Sequence, residues 1–308
     1  MRFRIQILIL VTLLAACAGQ PAPDQTPTSA PITLTDGLGR TVQLASPGQR
    51  VVSLAPSTTE ILFAIGAGAQ VVGRDAFSDY PEEAKSVPDI GGGFGELNTE
   101  VILAQKPDLV LASDLTPPEQ VKSLEGLGLV VFSLEDPKDF EGLYESIRQV
   151  AQLTGHTAQA EELISGLERR VAAVREKLSS VSERPLVFYE LDGTDPNAPW
   201  TPGPGSFVDH LITLAGGENL GGSLGSEWVQ VSIEELIAKD PELILIGDAT
   251  WGGVTLEDVR ARSGWDSLKA VQSGNLFVFD DNLVSRPGPR LVDGLEAMAK
   301  LLHPDLIR

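Results

Sequence analysis

Cysteine is almost absent from this sequence. Cys17 is the only one among 308 residues. The rest of the chain therefore contains no disulfide and no thiolate metal site. A domain without such crosslinks depends on its hydrophobic core, and a chain of this length can form two sub-domains that each bury one.

Histidine and the common catalytic motifs are also scarce. The three histidines lie in or next to predicted helices, without a second ligand at metal-binding spacing, at His156, His210 and His303. Residues 203–206 lack the Gly-x-Ser-x-Gly order of a hydrolase, and residues 91–95 do not complete a dinucleotide fingerprint. The sequence therefore predicts a protein that is not an enzyme, with no metal site and no cofactor.

Basic residues are outnumbered by acidic ones. Lys and Arg total 23 and Asp and Glu total 43, which gives a formal net charge of −20 at pH 7. Nucleic-acid phosphates are bound through dense Lys and Arg, so this balance argues against a nucleic-acid partner. It also disfavours adhesion to anionic membrane surfaces.

The apolar run at the N-terminus is short. It covers residues 5–14, after Arg2 and Arg4, and small residues lead from it to Cys17. A membrane span requires roughly 20 apolar residues, so a transmembrane anchor is the weaker alternative. The order predicts a signal peptide over residues 1–16. It resembles a bacterial lipoprotein signal, which implies that Cys17 becomes the lipidated N-terminus.

The segment that follows is predicted to be a tether. Residues 18–31 are rich in Pro, Thr, Ser and Gln and have almost no apolar bulk. Such a composition cannot bury a core and behaves as a flexible linker. We therefore assign residues 17–31 to the lipidated cysteine and the tether.

Two stretches of the chain repeat one pattern. Residues 98–111 align without a gap on residues 232–245. Each copy begins with a helix-capping residue and carries a glutamate two positions on, Glu100 or Glu234. Each then runs through apolar residues, breaks at Pro and ends in a strand. The repeat predicts two similar lobes with a cleft between them.

A second repeat supports the first. Residues 57–68 align without a gap on residues 206–217, and both copies place a hydroxyl three residues before a carboxylate, as in a capping box. The order within each half is strand, helix, strand, helix, strand. This alternation predicts an α/β fold of two Rossmann-like lobes, each with a parallel-rich sheet flanked by helices.

A long helix is predicted between the lobes. Apolar residues recur at steps of three and four over residues 156–181. We place the N-terminal lobe at residues 32–153, the connecting helix at 154–183 and the C-terminal lobe at 184–308. A single stiff helix would permit less hinge motion than a pair of extended strands.

Aromatic residues form 6% of the chain, and most of the tryptophans lie in predicted loops. Large aromatics normally pack in the core, and we interpret Trp265 in that way. The aromatic residues in predicted loops are Tyr80, Phe94, Trp200, Trp228 and Trp251. Together they predict an aromatic-lined cleft for a bulky, partly apolar ligand.

Arg286 and Arg290 lie next to that predicted cleft, just before a predicted helix. One or both could hold a carboxylate or phosphate of a ligand. Alternatively, they pair with internal carboxylates and fix the loop. The sequence leaves both interpretations open.

Several motifs together resemble one family. They are similar to the substrate-binding proteins of ABC importers for cobalamin, haem and ferric siderophores, at residues 50–60, 78–81, 106–110, 215–219 and 285–290. Residues 78–81 and 228–232 resemble the cobalamin-binding branch most. The resemblance implies a class III periplasmic binding protein, with a rigid connecting helix and a ligand held between the lobes with little closure.

The resemblance also implies roles for individual residues. Tyr80, Phe94, Trp200 and Trp228 match positions that contact cobalamin, although Phe94 stands where a family member has Trp. The predicted ligand-binding set is these four residues with Trp251 and Arg286.

Glu100 and Glu234 match the lobe-tip glutamates that such proteins present to arginines on a permease dimer. A carboxylate in a first helical turn is also favoured by the helix dipole, by about 0.3–1 kcal/mol. That effect explains either glutamate singly. A matched pair on two lobes is better explained by a two-fold symmetric partner.

The sequence thus predicts an extracytoplasmic, lipid-anchored, monomeric receptor without enzymatic activity. It would capture a cobalamin-like corrinoid and deliver it to an ABC permease dimer with its ATPase subunits. One alternative keeps this role for a ferric siderophore or haem. Another, an exported hydrolase on the same scaffold, lacks a convincing pair of nucleophile and base.

Overall fold

The computed structural model of the protein describes residues 31–93 and 97–307. The predicted signal peptide, Cys17 and the tether up to residue 30 lie outside the described residues, and so does Phe94. Within the two described ranges, no helix is long and apolar enough to cross a bilayer.

The strands are short, and along the chain a helix separates most strands from the next one. Their bounds are β1 Ile32–Thr35, β2 Thr41–Leu44, β3 Val51–Ser53, β4 Val71–Arg74, β5 Leu109–Ala112, β6 Val131–Ser133, β7 Leu186–Glu190, β8 Trp200–Pro202, β9 Glu218–Asn219, β10 Trp228–Gln230, β11 Leu243–Ile246 and β12 Leu276–Val278.

The helices flank these strands. Their bounds are α1 Pro56–Ala64, α2 Thr99–Ala104, α3 Pro118–Gly126, α4 Phe140–Thr154, α5 Thr157–Lys177, α6 Phe207–Leu214, α7 Ile233–Lys239, α8 Ala249–Gly252, α9 Leu256–Arg260, α10 Lys269–Ser273 and α11 Leu291–Leu302.

Each half of the chain builds a four-stranded parallel sheet. The first has the order β4-β3-β5-β6 and the second the order β9-β7-β11-β12. If the strands of each sheet are numbered along the chain, both orders read 2-1-3-4. The predicted α/β fold with two parallel sheets is confirmed, and the internal repeat has the same topology in both halves.

The repeated segments also share backbone details. The amide of Val101 donates to Asn98 Oδ1 (3.1 Å), and the amide of Glu235 donates to Ser232 Oγ (3.2 Å), so both helices have the predicted N-cap. Each copy then turns at a left-handed residue just before its proline, at Lys106 (φ 48°) and Asp240 (φ 46°). No other non-glycine residue of the described chain has a positive φ.

The predicted capping box at residues 57–60 is wrong. Helix α1 begins at Pro56, whose fixed φ suits the first helical position, so Ser57 lies inside the helix instead of capping it. The second copy is capped as predicted, because the amide of Asp209 donates to Ser206 Oγ (3.1 Å). The carboxylate of Glu60 is used elsewhere, as described below.

Helix α5 is the predicted long helix, and it is shorter than residues 154–183. Helix α4 ends at Thr154, and Gly155 follows in the left-handed conformation (φ 82°), which terminates a helix. Helix α5 packs against α4 of the first half and α11 of the second. Its apolar face therefore belongs to a core that both halves share.

The sheets are buried on both faces. Alternate residues of a strand point to opposite faces, so Leu109 and Leu111 of β5 join the shared core while Val110 and Ala112 join a separate cluster under α2 and α3. The second sheet divides in the same way between the shared core and a cluster around Trp265. This layering fixes the carboxyl ends of both sheets, where the loops with the predicted site residues begin.

Candidate functional site

The described members of the predicted ligand-binding set share one topological position. Each follows the carboxyl end of a parallel strand: Tyr80 follows β4, Trp200 β7, Trp228 β9, Trp251 β11 and Arg286 β12. In open parallel sheets, ligands bind outside this edge. The candidate site therefore lies at the carboxyl ends of both sheets.

A buried ion pair joins the two halves beneath this edge. Glu60 of α1 is 3% exposed and accepts hydrogen bonds from Arg290 Nε (2.9 Å) and Nη2 (2.5 Å). Burial raises the pKa of Glu60, and the hydrogen bonds from Arg290 offset part of that rise. The two residues lie 230 positions apart in the sequence.

Arg290 also positions an aromatic side chain. Its guanidinium carbon lies 4.0 Å from the centroid of the Tyr80 ring, a cation–π contact that leaves Tyr80 46% exposed. Arg286 Nη1 donates to Asp79 Oδ1 (2.5 Å) and lies 3.9 Å from Glu60 Oε1. Both arginines therefore pair with internal carboxylates, which is the second of the two interpretations that the sequence leaves open.

A buried hydroxyl network fixes the loop that carries Asp79 and Tyr80. Thr59 Oγ1 donates to Ser53 Oγ (2.8 Å) and lies 2.8 Å from Ser78 Oγ, which in turn donates to Asp75. Burial raises the pKa of Asp75. Sequence reasoning missed this network, although a run of hydroxyl residues between β3 and Glu60 was a signal for it.

Trp200 and Trp228 lie on a two-stranded ribbon and not in loops, which corrects the sequence interpretation. Strands β8 and β10 pair antiparallel, with Trp228 opposite Pro202 and Gln230 opposite Trp200. Residues two apart on a strand share a face, so both tryptophans lie on the same face. They are 39% and 45% exposed.

The remaining tryptophans differ in burial. Trp251 lies in the short helix α8, not in a loop, and is 57% exposed. The predicted packing role of Trp265 is confirmed, because its ring is fully buried and its Nε1 donates to the carbonyl of Pro196 (3.2 Å).

A second ion pair joins the halves beside the ribbon. Lys138, in the loop after β6, donates to Glu227 Oε1 (2.6 Å), immediately before Trp228. Close by, burial and the Asp114 carboxylate raise the pKa of Asp136 to about 6. The cations that adjoin the exposed aromatic residues, Lys138, Arg286 and Arg290, are thus all paired with carboxylates.

The histidines take structural positions. His156 Nδ1 lies 3.0 Å from the carbonyl of Thr154, His303 Nε2 lies 3.2 Å from the carbonyl of Gly216, and His210 packs edge-on against Phe140. In residues 31–93 and 97–307, no cluster of His, Cys, Asp and Glu could hold a metal ion.

Two surface cavities lie away from the predicted set. One, of about 780 Å³, lies between the end of α1, α5 and α11, beside Ile65, Arg170 and Glu296. The other, of about 420 Å³, lies around Asp209 and Asn219 in the second half. Neither is lined by a predicted ligand-binding residue.

Glu100 and Glu234 lie in the first turns of α2 and α7. Both are exposed, and within the described chain neither has a hydrogen-bond or ion-pair partner. Their carboxylates are available to a cation from outside the chain.

Arg290→Met tests the buried ion pair. We expect the free energy of unfolding near pH 7.5 to fall by about 3–5 kcal/mol, because Glu60 keeps a buried charge without its cation. Removing the cation raises the pKa of Glu60 further, so the folded variant binds a proton more tightly than the folded wild type. The loss should therefore be full above the folded pKa of Glu60 in the variant and vanish below its folded pKa in the wild type.

Urea unfolding at pH 7.5 and pH 4.5 measures both effects. Lys138→Met is the matched control: it also removes a cation that joins the halves, but Lys138 and Glu227 are 54% and 36% exposed along their side chains, so loss of this ion pair should cost no more than about 1 kcal/mol. Equal losses in the two variants, or a loss for Arg290→Met that does not depend on pH, would contradict this account.

Comparison with known proteins gives one consistent group of relatives. A family model described as "Periplasmic binding protein" matches residues 51–283. The chain is 31% identical to the "Uncharacterized ABC transporter substrate-binding lipoprotein YvrC" of Bacillus subtilis, over 98% of this chain and 96% of that protein. It is 30% identical to a "Cobalamin-binding protein" of Halobacterium salinarum, over 98% of this chain and 85% of that protein.

The solved structures agree in fold. The periplasmic heme-binding protein RhuT from Roseiflexus sp. RS-1, in its apo form, matches with a TM-score of 0.72 and 30% identity. The match covers 84% of this chain and 98% of that one. The named ligands of these relatives differ, so the ligand has to be argued from the site.

Proposed function

We propose that this chain captures a corrinoid. It belongs to the periplasmic binding protein family and is the substrate-binding component of an ABC transporter for cobalamin, haem or a siderophore. The family and the relatives are substrate-binding proteins and not enzymes, which removes the hydrolase alternative. The geometry of the candidate site supports a corrinoid as the ligand.

The observation that carries the proposal is the pair of tryptophans on one face of the ribbon. Trp200 and Trp228 offer two exposed aromatic surfaces in the second half, and Tyr80 offers another in the first. Flat, exposed aromatic rings bind a broad ligand with apolar edges. Phe94 and Trp251 belong to the proposed set on the sequence argument, and Arg286 belongs to it through its contact with Asp79, beside Tyr80.

The charges near the site favour a neutral ligand. Haem carries propionates and many siderophores carry anionic chelating groups, and both need cations that are free to pair with them. Lys138, Arg286 and Arg290 are each paired with a carboxylate already. The amide side chains of cobalamin need no cation. His156 and His303 lie against backbone carbonyls and His210 packs against Phe140, which leaves Tyr80 as the candidate axial ligand for haem.

Calorimetric titration with cyanocobalamin, hemin and a ferric hydroxamate siderophore tests this order. We expect saturable binding of cyanocobalamin, and about tenfold weaker binding for Trp200→Ala and for Trp228→Ala, since each loses an aromatic contact worth about 1.4 kcal/mol.

Trp265→Phe is the control, because its ring is buried among core residues. It should bind cyanocobalamin as the wild type does. Saturable binding of hemin or the siderophore without corrinoid binding would replace the leading ligand by the alternative. Loss of affinity in the control equal to that in the ribbon variants would remove the ribbon from the site.

We further propose that Glu100 and Glu234 dock the protein on a permease dimer with its ATPase subunits. Two exposed carboxylates that have no partner among the described residues, at matching places in two repeated halves, suit two equivalent cations on a two-fold symmetric surface. Docking would then require no contact with the ligand.

Reversal of both charges tests the docking role. We expect Glu100→Arg with Glu234→Arg to abolish uptake of the ligand into cells while its affinity for the purified protein stays unchanged. Glu235→Arg is the control, because the matching position in the first half is Val101 and no symmetric pair is altered. Normal uptake by the double variant would refute the docking role.

The membrane anchor is a proposal from the sequence. One relative is named a lipoprotein, and the segment up to Cys17 resembles a lipoprotein signal. We propose that Cys17 carries the lipid, that residues 17–31 tether the receptor outside the cytoplasm, and that it acts as a monomer.

Metabolic labelling with a radioactive fatty acid tests the anchor. We expect the wild-type chain to be labelled and Cys17→Ser to be unlabelled and released from the membrane fraction. A labelled Cys17→Ser chain, or a wild type without label, would contradict the assignment.

The division into lobes is also a proposal. Residues 32–153 and 184–308 each contain one of the two parallel sheets, and residues 154–183 contain α5. Since α5 packs on helices of both halves, we propose that it limits the movement of one lobe against the other.

A further inference from the structure

The outward faces of α2 and α7 are alike in burial. Residues 99–106 and 233–240 have the same order of exposed, intermediate and buried positions throughout. The buried position is Ile102 in one copy and Leu236 in the other, which anchor each helix to its own lobe. The two helices therefore present corresponding residues to solvent.

Only some of the exposed positions have the same type of residue in both copies. The exposed pairs are Glu100 with Glu234, Leu103 with Ile237, Ala104 with Ala238, and Lys106 with Asp240. The last pair has opposite charge, so the repeat does not keep every surface residue. The first three pairs keep a carboxylate, a large apolar side chain and a small one.

Leu103 and Ile237 expose part of their side chains outside the core clusters. Each is 39% exposed, and within the part of the chain that the structure describes neither is a member of a core cluster. Residues three apart are neighbours on a helix surface, so each apolar side chain lies beside the glutamate of its own copy. A single exposed leucine needs no explanation. A matched apolar pair does, when it lies beside a matched pair of carboxylates that have no partner in residues 31–93 and 97–307.

We propose that Leu103 and Ile237 are apolar contact points for a two-fold symmetric protein partner. Each of its two equivalent surfaces would offer an apolar pocket next to a cation, and Ala104 and Ala238 would allow its backbone to approach. The partner is the permease dimer, so the inference rests on the docking role proposed above. The proposal adds an apolar contact, which salt does not weaken, to the ion pairs of Glu100 and Glu234, which salt does weaken.

The test measures binding of the purified protein to its permease–ATPase complex in lipid nanodiscs, at low and high salt, by surface plasmon resonance. We expect Leu103→Ser and Ile237→Ser to weaken binding about 5-fold each and about 25-fold together, because each removes part of a side chain that the complex would bury. The fold-change should be the same at both salt concentrations. Glu100→Gln with Glu234→Gln should lose most of its effect at high salt.

Leu127→Ser is the matched control, because Leu127 is 46% exposed but lies outside the repeated segments. Its binding should equal that of the wild type, and all variants should keep the wild-type melting temperature and ligand affinity. If the glutamate variant fails to bind while Leu103→Ser with Ile237→Ser binds normally, the apolar contact is wrong and the docking role stands. If neither variant alters binding, the docking role itself fails.

Discussion

The ion pair between Glu60 and Arg290 is the constraint on which the arrangement of the site depends. A carboxylate with 3% exposure cannot stay charged at low cost without its cation, and the cation comes from the other half of the chain. The pair therefore fixes the start of α1 against the segment before α11. Tyr80, stacked on the same guanidinium, takes its position from that pairing.

The repeated part of the fold was readable in the sequence because cap, apolar run and proline keep one spacing in both copies. Asn98 and Ser232 cap as predicted, and the sheets have one topology. The failures are short elements. Strands β8 and β10 have three residues each, too few to show alternation, and α8 is a single turn. The capping box at Ser57 failed because Pro56 already starts the helix.

The candidate site rests on residue types that the sequence shows and on pairings that it does not. Aromatic residues in Gly- and Pro-rich segments led to the prediction of Tyr80, Trp200 and Trp228, and the structure has all three exposed. No local pattern could show that Arg290 pairs with a glutamate 230 positions away, since that contact depends on how the two sheets are brought together. The contacts of Arg286 with Asp79 and of Arg290 with Glu60 therefore cannot be predicted from the sequence.

The ribbon of β8 and β10 is held by its backbone. A Cβ on Gly203 would lie 1.9 Å from the carbonyl oxygen of Ser226, and one on Gly221 would lie 2.1 Å from that of Pro202, so only glycine fits at either place. The outward side chains have no part in that fit. Mutation could therefore replace the tryptophans without unfolding the lobe. If the ribbon binds the ligand as proposed, substitutions on one face of six residues would be enough to change the ligand during evolution.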